Sequence, residues 1–134
     1  MKTIITFGTF DVFHVGHLRL LGRARELGSR LVVGVSSDVL NMKKKGRMPV
    51  YSEIARQEIL LGLKCVDDVF LEESLELKRS YILKHGAAVL VMGDDWSGAF
   101  DDLGDICDVV YLPRTPSIST TEIIEVAASK RAGN

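Results

Sequence analysis

The sequence predicts a single doubly wound α/β domain with a five-stranded parallel sheet, Rossmann-like in type, on three observations. Short runs rich in valine and isoleucine recur along the chain, bounded by turn residues. The runs are apolar almost throughout rather than alternating, as in strands covered on both faces. Segments with helical spacing separate them, and that alternation builds a parallel sheet with helices packed on it.

The elements follow in order. Thr3 to Phe7 reads as the first strand. Leu18 to Leu27 carries apolar residues at 18, 20, 21, 24 and 27, a helical stripe, with Gly28 placed to end it. Leu31 to Val35 is a second strand, followed by a basic loop. A helix runs from about Ser52, a natural N-cap, to Leu63. Val66 to Leu71 is a third strand, and Leu75 to Lys84 a helix stopped near Gly86. Ala88 to Met92 and Val109 to Leu112 complete the sheet, and a last helix spans Thr120 to Ser129. In such folds ligands bind beyond the carboxyl ends of the strands, so residues just after strands matter most.

Composition bounds the function. A chain of 134 residues is one domain, able to bury roughly two-thirds of its unfolded surface. Its 46% apolar and 26% charged residues are those of a soluble globular protein. A formal net charge of −1 excludes a general nucleic-acid binder. Positive charge is dense only at Lys43-Lys44-Lys45-Gly46-Arg47. Cys65 and Cys107 lack a CxxC or metal-ligand spacing and read as reduced thiols of a cytoplasmic protein. Asp11 close behind the apolar start is unlike a signal peptide, and no run approaches the ~18 apolar residues of a membrane span. Neither membrane nor nucleic acid is expected as a partner.

Chemistry concentrates after the first strand, at Thr9-Phe10-Asp11-Val12-Phe13-His14-Val15-Gly16-His17. A turn needs no pair of imidazoles. A site holding a triphosphate under attack at its α-phosphorus uses both, as hydrogen-bond donors near a helix N-terminus that already favours anions. Gly16 lets backbone approach phosphate closely. A metal would need a third His, Cys or carboxylate at ligand spacing, and none is present. His85, at the end of a helix, reads as a solvated C-terminal residue.

After the fifth strand stands Arg114-Thr115-Pro116-Ser117-Ile118-Ser119-Thr120-Thr121-Glu122. Ser119 and Glu122 have capping-box spacing, so a helix starts there. Arginine, hydroxyls and a helix N-terminus also make a second phosphate cradle. Two cradles suit a polyphosphate. The lysine-rich run at 43–47 fits either a solvated surface stretch or a loop closing over the reacting centre. Gly93-Asp94-Asp95-Trp96 after strand four fits either a turn with a packed tryptophan or a wall of a nucleotide pocket.

The His14-x-Gly16-His17, Gly93-Asp94-Asp95-Trp96 and Arg114-Thr115-x-x-Ile118-Ser119-Thr120-Thr121 segments resemble the nucleotidylyltransferase superfamily, and within it the glycerol-3-phosphate cytidylyltransferase family. The resemblance spans Met1 to about Val126. It implies transfer of a cytidylyl group from CTP to sn-glycerol 3-phosphate, with Mg²⁺, in a homodimer that supplies cell-envelope (teichoic acid) polymer synthesis. Carried over by position, His14, His17, Lys44 and Arg114 are catalytic. Thr9, Phe10, Gly16, Met92, Gly93, Asp94 and Trp96 would line the nucleotide site. Thr115, Ile118, Ser119 and Thr120 join Arg114 around the phosphates. Asp11, Lys44, Arg56 and Lys64 would serve the acceptor, Asp11 by orienting the histidines and Arg56 by binding the acceptor phosphate. Asp38 and Asp67 also fall on charged family positions. No residue is assigned as a metal ligand. Ser117 stands where the family has glycine, Lys64 where it has arginine, and Gly46 where a second lysine falls, leaving Lys45 or Arg47 to substitute.

The chemistry fits the residues by itself. A phosphate monoester, with a second pKa of about 6, is already an anionic nucleophile and needs no general base. Neutralising and aligning two anions is what remains, and histidines, lysines, an arginine and helix N-termini supply it. The same fold could serve another pair, such as ATP with a sugar phosphate, pantetheine phosphate or FMN. A nucleotide-binding regulator of flavodoxin-like shape would not need paired imidazoles. A phospho-receiver would want an acidic cluster where this first strand ends in Gly8-Thr9.

Overall fold

Adjacent residues in the strands bury on opposite faces, and this period of two sets the layers. The computed structural model describes residues 2–114 and 120–132. In β1 (Thr3–Gly8), Ile4 packs with Leu21 and Ala24 of α1 (Val15–Arg25) and Leu60 of α3 (Glu53–Leu61). Its neighbour Ile5 joins Ile82 of α4 (Lys78–His85) in the opposite layer, with Phe7. Between them β2 (Arg30–Ser36), β3 (Asp68–Glu72), β4 (Val89–Gly93) and β5 (Asp108–Leu112) complete a sheet ordered β3-β2-β1-β4-β5. Every pairing is parallel. The chain winds outward from β1 to β3, then returns to place β4 on the other side of β1. That reversal opens a crevice between the carboxyl ends of β1 and β4.

The predicted class and its five strands are therefore present, and several boundaries differ for physical reasons. The first helix begins at Val15 because His14 caps it. The third strand begins at Asp68, since Val66 is still turning, its N–H donating to the Leu63 carbonyl. The expected basic loop is instead the end of a helix, α2 (Asp38–Lys45). Ser37 Oγ accepts from the Leu40 N–H at 3.0 Å, Asp38 lies in the first turn, and Lys43, Lys44 and Lys45 fill the last. Charge thus suits the helix dipole at both ends. Gly46 closes the helix in the left-handed region, at φ 72°, which accounts for a glycine where the related family carries lysine. The helix expected over 75–84 splits into a 3₁₀ turn, Leu75–Leu77, and α4. His85 is not simply solvated: it stacks on Phe70 at 4.5 Å and its pKa is lowered, mainly by burial. Helix α5 (Thr120–Ala132) follows β5, while the capping box expected at Ser119 lies outside the described residues. Cys65 and Cys107 are free. Among the described residues no helix is long and apolar enough to cross a membrane.

Gly34, in the middle of β2, has no room for a side chain. A methyl there would come within 2.6 Å of Phe7 Cδ1 and 2.7 Å of Phe70 Cζ, rings that meet edge to face at 5.8 Å. Gly34→Ala is expected to lower stability by ~1–3 kcal/mol through overpacking, read as a lower urea midpoint. An unchanged midpoint would show that the two rings can move apart freely.

Candidate active site

A cleft of about 630 Å³ occupies the crevice at the carboxyl ends of the strands. The first functional segment leaves β1 under strain. Phe10 and Val12 both have positive φ, 53° and 45°, and for a β-branched residue such as Val12 that is a rare conformation, costing about 1–3 kcal/mol. Asp11, between them and only 9% exposed, holds the turn. Its carboxylate accepts from the Val50 N–H at 2.7 Å, the Tyr51 N–H at 2.9 Å and the Val12 N–H at 3.0 Å. Its backbone carbonyl accepts from Thr120 Oγ1 at 2.8 Å. Asp11 therefore joins the turn, the segment after α2 and the start of α5. It forms no hydrogen bond to either histidine, and reaches His17 only through its charge.

The strained turn delivers two histidines to the start of α1. His14 is the N-cap, its Nδ1 accepting from the Gly16 N–H at 3.1 Å. His17 reaches back, its Nδ1 accepting from the His14 N–H at 3.2 Å. A capping box is thus built at the start of α1, from imidazoles. The rings stack at 3.8 Å, and Phe10 and Phe13 pack on His17 at 5.4 and 5.2 Å. A neutral imidazole with an accepting Nδ1 carries its proton on Nε2. Burial, foremost, and His14 lower the His17 pKa to about 4 against the opposing Asp11 charge. Burial and Arg114 lower that of His14. Near neutral pH the pair therefore presents two neutral Nε2–H donors at a helix N-terminus whose first turn holds no acidic residue.

Cations line the same cleft. Lys45 Nζ donates to Thr9 Oγ1 at 3.3 Å, and that hydroxyl donates to Asn41 Oδ1 at 3.0 Å. Lys44 Nζ donates to Ser36 Oγ at 3.2 Å. Burial is the main cause lowering both lysine pKa values, with Lys45 next for Lys44 and Arg47 next for Lys45. Lys45 and Arg47 both line the cleft, so they stand where the glycine at 46 left a cation to be replaced. Arg114 enters from the end of β5 and pairs with Asp95 at 3.1 Å. Beneath lie Glu72 and Lys78, an ion pair at 2.6 Å with side chains 1% and 9% exposed.

The expected residues divide accordingly. Thr9, Phe10, Gly16, Met92, Gly93 and Trp96 line the cleft, as do His14, His17, Lys44 and Arg114. Trp96 stands exposed at its rim against Phe100, ring centroids 5.7 Å apart. Asp94 does not line it; the neighbouring Asp95 does, the 3₁₀ turn Asp94–Trp96 pointing successive side chains about a third of a turn apart. Thr115, Ile118 and Ser119, like Ser117, lie outside the described residues. Two acceptor assignments need correction. Arg56 is fully buried and spent on the protein: it donates to the carbonyls of Tyr51 at 3.0 Å, Thr9 at 2.9 Å and Ser36 at 2.8 Å, and to Asp38 Oδ1 at 2.7 Å. Lys64, exposed between α3 and β3, sits at the amino end of the sheet, away from the cleft. Ser36, Asn41, Glu72 and Lys78 are cleft residues that sequence reasoning missed; a carboxylate directly after the apolar run Val69-Phe70-Leu71 was the available signal.

Among the described residues no group of three or more His, Cys, Asp or Glu could hold a metal ion. The cleft carboxylates are committed elsewhere, Asp11 to backbone N–H groups, Glu72 to Lys78 and Asp95 to Arg114. These residues do not fit a resident magnesium site.

A family model described as cytidylyltransferase-like matches residues 5–126. The chain belongs to that family. It is 49% identical over 128 residues to the glycerol-3-phosphate cytidylyltransferase of Bacillus subtilis, covering 96% of this chain and 98% of that protein. It is 42% identical over 132 residues to the Staphylococcus aureus protein of the same name, covering 98% and 99%. In fold it is similar to the lipopolysaccharide core biosynthesis protein of Thermoplasma volcanium, with a TM-score of 0.72 at 23% identity over 86% of this chain and 98% of that one.

Because the unfolded chain binds the His17 proton near 6.5 and the folded family member only near 4, His17 contributes stability fully above pH 6.5 and loses it as pH falls towards 4. The ring-proton resonances of His17 are expected to stay flat from about pH 8 to about pH 5.5, where an ordinary histidine would titrate. A midpoint near 6.5 by NMR would refute the neutral-donor assignment.

Proposed function

We propose that the protein transfers a cytidylyl group from CTP to sn-glycerol 3-phosphate, giving CDP-glycerol and pyrophosphate. The observation carrying this reading is the stacked His14–His17 pair at a helix N-terminus, lining one cleft with Lys44 and Lys45. The near full-length likeness to proteins named glycerol-3-phosphate cytidylyltransferase supports the substrate pair.

In this reaction an oxygen of the acceptor phosphate forms a bond to the α-phosphorus while the bond from that phosphorus to the oxygen bridging to the β-phosphate breaks. The electron pair leaves with pyrophosphate. The acceptor is already an anion, so no proton need be removed and no covalent enzyme intermediate arises. The Nε2–H groups of His14 and His17 donate to nucleotide phosphate oxygens. Being neutral, they give hydrogen bonds without adding the charge that would hold pyrophosphate back. Lys44 and Lys45 neutralise the approaching anions, and Arg114, freed from Asp95, binds the far phosphates at the start of α5. Magnesium, which usually binds through substrate phosphates, would enter as part of the nucleotide substrate. We place this activity in the cytoplasm, in a homodimer, supplying activated glycerol phosphate for cell-envelope polymers. The exposed apolar side chains of Val39, Val50, Ile54 and Leu61 support self-association.

His14→Ala and His17→Ala are each expected to lower pyrophosphate release by ~10²–10³-fold while the protein stays folded by circular dichroism. Near-normal turnover in both variants would remove the histidines from the mechanism. With Mg²⁺, the four nucleoside triphosphates and a panel of phosphorylated polyols, only CTP with glycerol 3-phosphate is expected to release pyrophosphate. Release with ATP instead would keep the chemistry and overturn the substrate pair.

A further inference from the structure

A buried ion pair is costly to form, because desolvation consumes much of its attraction. Glu72 and Lys78 form one at the floor of the cleft, and they are not isolated. Ser36 Oγ donates to Glu72 Oε1 at 3.4 Å and itself accepts from Lys44 Nζ at 3.2 Å. The order is Lys44 to Ser36 to Glu72, with Lys78 on the carboxylate's other oxygen at 2.6 Å. It joins the end of α2, the ends of β2 and β3, and the start of α4. The rings of Phe7 and Phe100 lie 4.8 and 5.5 Å from the Lys78 ammonium, fixing it from below.

We propose that Ser36, Glu72 and Lys78 are positioning residues that hold the Lys44 ammonium at the cleft in its charged form. This rests on the reading of Lys44 as the group that neutralises reacting phosphate. Two ammonium groups share one carboxylate, so the cluster carries one surplus positive charge. Lys78 takes the direct contact with Glu72, and among the described residues Lys44 hydrogen-bonds only to a neutral hydroxyl. The surplus is therefore displayed at Lys44, where an anionic substrate completes it. The charged groups facing Lys44 are Lys45 of its own helix, Glu72 of β3, Lys78 of α4 and Arg56 of α3. Of these Glu72 alone favours the protonated amine, against burial and three cations.

The test is the titration of Lys44 in the substrate-free protein, by NMR of its ε-methylene and ammonium, beside kcat and KM. In Glu72→Gln, Lys44 is expected to lose its proton at lower pH than in the unaltered protein. The alkaline limb of kcat moves the same way, and kcat falls by up to about 10²-fold, as for a catalytic group misplaced by about 1 Å, with KM for CTP little changed. The Glu72→Gln/Lys78→Met double variant removes the orphan ammonium, and returns the Lys44 titration towards its original midpoint. Ser36→Ala cuts the link and lowers kcat without that shift, and Ser36→Thr restores it. Thermal unfolding checks each variant. If Glu72→Gln does not fold, Ser36→Ala and the double variant decide. An unmoved Lys44 titration in folded Glu72→Gln, or a kcat loss that follows stability alone across the set, overturns the proposal. If no nucleotide supports turnover even in the unaltered protein, the enzymatic reading fails, while the titration still decides how Lys44 is held.

Discussion

One guanidinium holds the catalytic end of this sheet together. Arg56 projects from α3 beneath the points where β1 and β2 stop pairing, and there it replaces the ladder's missing donors. The carbonyls of Thr9 and Ser36 accept from one of its nitrogens, the Tyr51 carbonyl from a second, and Asp38 from a third. Backbone groups at strand ends must find partners somewhere when water is excluded. By supplying them from one rigid fork, the chain fixes three segments relative to one another. The lysines of α2, the strained turn at Phe10 to Val12 and the segment held by Asp11 all take their places from that arrangement. The charge is paired with Asp38, so its removal would leave that carboxylate uncompensated and take a donor from three carbonyls, a loss usually worth several kcal/mol.

On that frame the cleft separates two kinds of donor. One kind is the imidazoles, kept neutral by burial foremost and by neighbouring charge, Arg114 for His14 and His14 for His17; the other is the cations in the last turn of a helix. In the proposed reaction, neutral donors near the transferred phosphorus would follow the charge as it moves towards the leaving group, while the cations would collect the anions at the start. Placing the lysines on a helix also removes most of the backbone ordering that a loop would need at each closure. The Arg114–Asp95 pair, both side chains largely exposed, is the contact most easily exchanged for a ligand.

Legibility in the sequence followed the physics of each element. Strands buried on both faces announce themselves as apolar runs, and all five were readable to within two residues. The histidine motif was readable because two imidazoles and a glycine have no cheaper explanation. Boundaries failed where a cap decided them: nothing in composition marks His14 as a helix N-cap, since imidazoles seldom take that part. The lysine run was misread as a loop because its helix is short and its charge sits in the final turn, where the dipole rather than an apolar stripe rewards it. Arg56 was given to the acceptor phosphate by its family position, and nothing in the sequence opposed that, since a charged residue is seldom fully buried. Its partners are backbone carbonyls, which no side-chain pattern reveals. Glu72 and Lys78 escaped for a related reason, meeting only once α4 folds back over the end of β3.

The imidazole cap also limits how this chain can change. Serine, threonine and aspartate are better helix caps than histidine, and a protein selected for stability alone would adopt one at position 14. In the proposed mechanism the capping nitrogen and the phosphate-binding nitrogen belong to the same ring, so an improved cap would remove a donor from the cleft. Stability and turnover are thus set against each other at a single residue, and the helix start stays below its own optimum for as long as the reaction is kept.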